Sequence, residues 1–309
     1  MCWSGVLIGP WRDTEGTERY ACLYEPTSAL AAKPLPLVIY LHPSGFLSAD
    51  SVLFTNLLDH LESADLGHGD RGFILLAPAG RYMRHHYPWP SGFTLGWDNW
   101  YRQLDPGVHT TLDGAVHAEN PDAATIDHFV EQQIAVGKVD EQRIYIIGWS
   151  SGAAMAALYA LNRPQIAAAV LYSAPNPYRA FNDPCPQVPV AHPPASIRQS
   201  RILNPRLRVM HIHNDCDIAG TCLNAELLTS DLLGLGVDCE DVILDSSRRR
   251  VGGCDRQCGT DFTARSSIGY RAYLRGLVNH LRWPSSWTAR MLEFLRASEL
   301  AAVDPKRNG

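Results

Sequence analysis

The stretch Arg143-Ile-Tyr-Ile-Ile-Gly-Trp-Ser-Ser-Gly-Ala-Ala-Met155 constrains the fold more than any other part of the chain. Its apolar run 144–147 reads as a buried strand and the alanine-rich run 153–161 as a helix, with only Gly148-Trp149-Ser150-Ser151-Gly152 between them. A G-x-S-x-G pentapeptide in that setting is a sharp strand-to-helix turn that exposes its central serine. Only small residues fit at the two flanking positions of so tight a turn, and Gly148 and Gly152 supply them. Ser150 Oγ is thereby pushed out above the sheet edge, where the first N–H groups of the following helix favour developing negative charge. The chemistry implied is nucleophilic attack by a serine hydroxyl.

That hydroxyl is a poor nucleophile at neutral pH. It needs a histidine to take its proton, and the histidine needs a carboxylate to fix its tautomer and stabilise the imidazolium. With an elbow serine, the acid and then the base follow later in the chain. Of twelve histidines only His280 lies beyond His213, so His280 is the expected base. The acid is expected just past a buried strand. Residues 207–213 alternate as a strand does, and Asn214-Asp215-Cys216-Asp217 follow. Both aspartates are candidates. Asp217 is preferred because an acid a few residues into the turn can reach the histidine loop, while the other aspartate shapes the turn. Asp241 and Asp245, beside the short strand 242–244, are weaker alternatives.

An acyl-transfer site also needs an oxyanion hole. One donor is expected to be the backbone N–H of Ser151, the residue after the nucleophile. The second should come from the loop after the early strand 36–41, which reads His42-Pro43-Ser44-Gly45. Proline has no N–H, so Ser44 is the expected donor. Gly45 leaves room for the bend and His42 braces the loop.

Other apolar segments continue the alternation: a first antiparallel strand at 19–25, a strand at 73–77, helices at 52–61, 125–135 and 286–298, and a strand at 167–172. Alternating strands and helices predict an α/β protein with a mostly parallel sheet covered on both faces and no large separate lid domain. The whole chain, 1–309, is read as one catalytic domain. Loop insertions near 82–114 and 174–205 interrupt the pattern. The first is rich in aromatic residues. Gly96-Trp-Asp-Asn-Trp-Tyr101 is read as a wall of a substrate cleft, the alternative being a small satellite core under the loop. Trp97, Trp100 and the elbow residue Trp149 are the candidate substrate contacts, and Trp283, near the base, is expected to pack.

The segments 36–45, 72–80, 143–157, 169–173, 211–217 and His280-Leu-Arg-Trp-Pro284 fall in an order similar to that of poly(3-hydroxybutyrate) depolymerase-like esterases, a group that includes feruloyl and acetylxylan esterases. The resemblance spans about 19–284 and implies an α/β-hydrolase fold. It implies Ser150, Asp217 and His280 as nucleophile, acid and base. It also implies carboxylic ester hydrolysis, either of hydroxyalkanoate polyesters, their oligomers and short-acyl esters or of feruloyl and acetyl esters on carbohydrate. Two positions depart from the family pattern. His42-Pro43 stands where the family carries His-Gly, and Asn279-His280 where it carries Gly-His.

Composition narrows the classes. A net charge of −5 gives no electrostatic case for nucleic acid, and no stretch approaches the ~20 apolar residues of a membrane span. The hydrolytic chemistry calls for no cofactor or metal, and the partner expected is the ester itself. Of eight cysteines, Cys185, Cys216, Cys222, Cys239, Cys254 and Cys258 crowd into one region, which suits disulfides or free thiols; zinc is a third reading, though the spacings lack the repeated tight pairs of a structural site. The first residues lack a basic n-region and a signal-like apolar core. A secreted protein without its leader and a cytoplasmic one both fit.

Overall fold

The structure is a computed structural model that describes residues 2–27, 33–45, 48–67, 69, 71–85, 92–97, 120–176, 204–214, 217, 224–244 and 276–298. An eight-stranded sheet forms its centre. Its strands are β1 (Val6–Arg12), β2 (Glu18–Tyr24), β3 (Leu35–Leu41), β4 (Ile74–Pro78), β7 (Val139–Trp149), β8 (Ile166–Tyr172), β9 (Arg208–Asn214) and β10 (Asp238–Leu244). They lie in the order β1-β2-β4-β3-β7-β8-β9-β10. Every pairing from β4 to β10 is parallel, and only β2 runs against its neighbours. A separate ribbon pairs β5 (Arg81–His85) with β6 (Gly92–Gly96).

Period-two geometry explains why the central strands are apolar throughout. On β3, Leu37, Ile39 and Leu41 join one core and Val38 and Tyr40 the other. Residues 144 and 146 of β7 share the first core with Leu37, and 145 and 147 the second. Both faces are therefore covered, as parallel sheets require. Pro36 cannot donate to the ladder, and the β3–β7 register shifts between Leu35 and Leu37 around it.

Helix α1 (Pro121–Ala135) begins at Asn120, whose side chain accepts from the N–H groups of Asp122 and Ala123, with proline at the first helical position. The Asp122 carboxylate then meets Arg19 of β2, which also reaches Asp13 at 3.0 Å. All three are buried, so this ion cluster fixes the start of α1 against the sheet. Helix α2 (Ser151–Leu161) is buried on every side, and its alanines let it lie close against β7 and β8. Helix α3 (Asn224–Gly234) precedes β10, and α4 (Thr288–Arg296) closes the described chain.

Several sequence expectations change here. Residues 52–61, expected as a helix, form two short 3₁₀ turns, Ala49–Phe54 and Leu58–His60. Strand β1 and helix α3 are additions, and the β5–β6 ribbon gives regular structure to part of the 82–114 insertion. Residues 98–119 and 177–203 lie outside the described residues. Among the described residues no helix is long and apolar enough to cross a membrane. Cys2 and Cys22, neither of them in the crowded group, form a disulfide, and Cys239 is a free thiol. The five remaining cysteines lie outside the described residues.

Candidate active site

The elbow is built as the sequence demands. Ser150 adopts φ 56°, ψ −121°, a left-handed conformation that a side-chain-bearing residue holds only when its surroundings impose it. Its N–H donates to Tyr172 O of β8 at 2.9 Å, while its carbonyl accepts from Ala153 and Ala154 and starts α2. A Cβ at Gly148 would stand 2.4 Å from Ala153 Cα and from Gly152 O. One at Gly152 would stand 2.2 Å from Leu41 O and 2.5 Å from His42 O. The two glycines thus allow helix, turn and the end of β3 to touch backbone to backbone.

Three residues far apart in sequence meet at the strand ends. Ser150 Oγ lies 2.7 Å from His280 Nε2, and His280 Nδ1 lies 2.9 Å from Asp217 Oδ1. A carboxylate can only accept, so Nδ1 carries the proton and Nε2 is left to accept from the serine hydroxyl. Asp217 is fully buried, and His280 and Ser150 are each 7% exposed. Asp215 and Asp245 lie outside the described residues. Asp241 instead faces His213, 3.4 Å from its Nε2.

Asp217 has a second side-chain partner. Ser173, directly after β8, has φ 52° and donates its hydroxyl to Asp217 Oδ2 at 2.6 Å, while its N–H donates to Ile212 O. Both carboxylate oxygens of Asp217 are thereby engaged. Ser150 and Ser173 are the two non-glycine residues with positive φ among those described. No local motif marks Ser173, because its contact spans 44 positions.

The histidine is held through its backbone. Trp149 Nε1 donates to His280 O at 2.8 Å. Tyr172 Oη lies 3.0 Å from Asn279 O and 2.6 Å from Arg282 O, and it accepts from Asn214 Nδ2 at 3.1 Å. Burial raises the Tyr172 phenol well above its ordinary value, with the Asp217 charge adding to the effect, so it stays a donor. Trp283 packs between these rings, 5.8 Å from Trp149 and 5.5 Å from Tyr172.

On the opposite side, the Ser44 hydroxyl donates to the Ser151 hydroxyl at 2.6 Å, joining the loop after β3 to the helix start. The Gly45 N–H is spent on Leu95 O, whereas no described residue accepts from the Ser44 N–H. His42 braces the loop as expected. Its Nε2 accepts from Gly80 N–H at 2.8 Å, which puts the ring proton on Nδ1, directed at Pro43 O.

The tryptophan assignments need correction. Trp97, expected as a cleft wall, is wholly buried; its indole N–H donates to His42 O at 2.8 Å and its ring packs on the His42 imidazole. Trp149, 4% exposed, has its ring in the aromatic cluster and its N–H on His280. Both indoles brace the loops around Ser150 rather than face an open cleft, because burying an indole requires a partner for its N–H and a backbone carbonyl provides one. Trp100 lies outside the described residues.

Strand order, elbow and the meeting of residues 150, 217 and 280 at one sheet edge agree with a match to the Esterase PHB depolymerase family model over residues 108–178. This is an α/β-hydrolase fold. The matched segment is under a quarter of the chain and carries α1, β7, the elbow and β8. FphF, a fluorophosphonate-binding serine hydrolase of Staphylococcus aureus, is similar over 94% of this chain and 98% of its own, at 11% identity and a TM-score of 0.52. A ferulic acid esterase is similar over 90% of this chain and 98% of its own, at 15% identity and a TM-score of 0.50. A thermostable esterase is similar over 94% of this chain, at 15% identity and a TM-score of 0.50, and the chain spans 62% of that protein's length. No curated protein matches the sequence. At such identities the structural likeness speaks to the α/β-hydrolase fold, and the family match adds a resemblance to serine esterases.

Proposed function

We propose that the protein is a serine esterase that cleaves carboxylic esters through an acyl-enzyme. One observation carries this reading: the continuous hydrogen-bonded series from Ser150 through His280 to Asp217, with the serine on a strained elbow. In the proposed reaction Ser150 Oγ attacks the ester carbonyl carbon while His280 Nε2 takes its proton. Asp217 keeps the Nδ1 proton in place and stabilises the imidazolium. The backbone N–H groups of Ser151 and Ser44 are assigned to the oxyanion. The tetrahedral intermediate collapses, and the alcohol leaves with the proton from His280. Water then attacks the acyl-enzyme in the same way and frees Ser150.

The proposed substrates are hydroxyalkanoate oligomers or polyesters and short-acyl esters, a choice supported by the family-model match around the elbow. A second reading, a feruloyl or acetylxylan ester, uses identical chemistry and draws on the likeness to a ferulic acid esterase. A panel of hydroxybutyrate-oligomer, butyryl, acetyl and feruloyl esters separates the two by relative kcat/KM. The reading as a whole is tested with Ser150→Ala, which should fold, fail to label with a fluorophosphonate, and hydrolyse p-nitrophenyl butyrate about 10⁴-fold more slowly or worse. A wild-type protein that neither labels nor turns over esters would instead be a binding protein on a hydrolase scaffold.

A further inference from the structure

A second cluster of chemistry-bearing side chains sits at the β10 edge of the sheet. His211 and His213 occupy alternate positions of β9 and so face the same side. The parallel register sets Asp241 of β10 beside His211. Asp241 Oδ1 lies 3.4 Å from His213 Nε2 and 3.8 Å from His211 Nδ1. One donor atom from each of the three residues falls within 4.8 Å of the others. Thr229 of α3 closes the group, its hydroxyl 2.8 Å from His211 Nδ1 and 3.2 Å from Asp241 Oδ1.

Both histidines are more than nine-tenths buried, at 0% and 3% exposure. His211 Nε2 and both ring nitrogens of His213 nevertheless lack a hydrogen-bond partner among the described residues. Buried polar atoms are ordinarily satisfied, so His213 Nε2, which faces the Asp241 carboxylate from 3.4 Å, calls for a further partner. The esterase machinery does not use these histidines, since His280 is held by Asp217. Met210 and Ile212, interleaved on the same strand, fill the opposite core with apolar side chains.

We propose that His211, His213 and Asp241 form a binding site for a divalent transition-metal ion of the zinc class, with the Thr229 hydroxyl or a water as fourth ligand. Two imidazoles and a carboxylate are a donor set suited to zinc, whereas calcium takes six to eight oxygens. The spacing suits it as well. Four-coordinate zinc with bonds of about 2.0–2.1 Å holds its donors roughly 3.3 Å apart. The Asp241–His213 separation of 3.4 Å already has that value, and His211 Nδ1, 3.8 Å from the same oxygen, would exchange its bond to Thr229 for the ion. Asp241 supplies the way in: its side chain is 29% exposed on the edge strand, so an ion can enter without the sheet opening. Bound there, the ion ties β9 to β10 four residues before Asp217. The site goes beyond the esterase reading and stands without it.

The test uses the full chain, stripped with a chelator and titrated with Zn²⁺ by calorimetry, with thermal melts and Co²⁺ absorption alongside. The expected result is one saturable equivalent of Zn²⁺, a higher melting temperature, and the visible bands of four-coordinate Co²⁺. Asp241→Asn and His213→Gln should each weaken binding about 100-fold or more, since even outer-shell changes cost 10–100-fold. The absence of a saturable equivalent in the wild type overturns the proposal, and so does an equivalent that Asp241→Asn retains undiminished, which would place the ion elsewhere, on the cysteines for example. Asp241→Asn is nearly isosteric at a partly exposed position. Should either variant misfold, the wild-type titration and the Co²⁺ spectrum still decide.

Discussion

Ser173 donates its hydroxyl to Asp217 Oδ2 at 2.6 Å from a left-handed backbone conformation, just as Ser150 holds its own hydroxyl toward His280 from one. The two strained serines follow neighbouring parallel strands, β7 and β8, and so stand side by side at one rim. One is the proposed nucleophile. The other orients the proposed acid.

Ser173→Gly separates strain from orientation. Glycine accepts positive φ without steric strain, which offsets part of the stability lost with the hydroxyl's bond to the buried carboxylate, so only a modest drop in melting temperature is expected. A hydrogen bond to a charged group is worth about 1.5–3 kcal/mol, so kcat should fall roughly 10- to 100-fold with KM little changed. Unchanged kcat in a variant of normal melting temperature would show that Asp217 needs no such orienter.

Trp149→Phe keeps most of the ring packing and removes the N–H that holds His280 O. Neutral hydrogen bonds contribute about 0.5–1.5 kcal/mol, so a stability loss of that size is expected in urea melts. Turnover should fall by about tenfold, because a base displaced even slightly from the serine loses alignment. A variant as fast as wild type would mean that Tyr172 and Asn214 hold the histidine unaided.

Gly152→Ala should be far worse than an alanine at an ordinary helical position. The added methyl would meet Leu41 O at 2.2 Å, and both that backbone and the helix would have to separate. Overpacking of this kind costs about 1–3 kcal/mol or more. Loss of soluble, cooperatively folding protein, or loss of the proposed esterase activity in what does fold, is the expected outcome of expression, thermal melting and assay. A stable and fully active variant would show that the contact relaxes freely.

Arg19→Met would leave Asp13 and Asp122 buried without their shared cation. Breaking a buried ion pair from one side costs about 3–5 kcal/mol, measurable as a lower urea midpoint. Activity per folded molecule should persist, since the cluster lies at the start of α1. A midpoint equal to wild type would show that water or side-chain movement compensates the two carboxylates.

The sequence disclosed those parts of the site that depend on local pattern or chain order. The elbow was legible because β7, Gly148, Gly152 and α2 are contiguous, and each half is unmistakably apolar. His280 followed from order alone. Ser173 and Thr229 were invisible, because a hydroxyl acquires its role from a partner tens of positions away. Trp97 misled for a related reason. Its aromatic-rich segment reads as a cleft wall as easily as a small core, and only the folded ribbon shows the ring buried against His42. The region 52–61 carried enough apolar residues for a helix, yet Asn56 and Thr55 take side-chain bonds that break it into short turns.

The anchors of His280 have a bearing on how such a protein can be altered. Trp149, Tyr172 and Asn214 all belong to strands, at the carboxyl ends of β7, β8 and β9. The aim of the imidazole therefore rests on side chains of the sheet itself, three strand ends gripping the backbone around one ring. A change at any of these three strand ends thus reaches the proposed base without touching its ring.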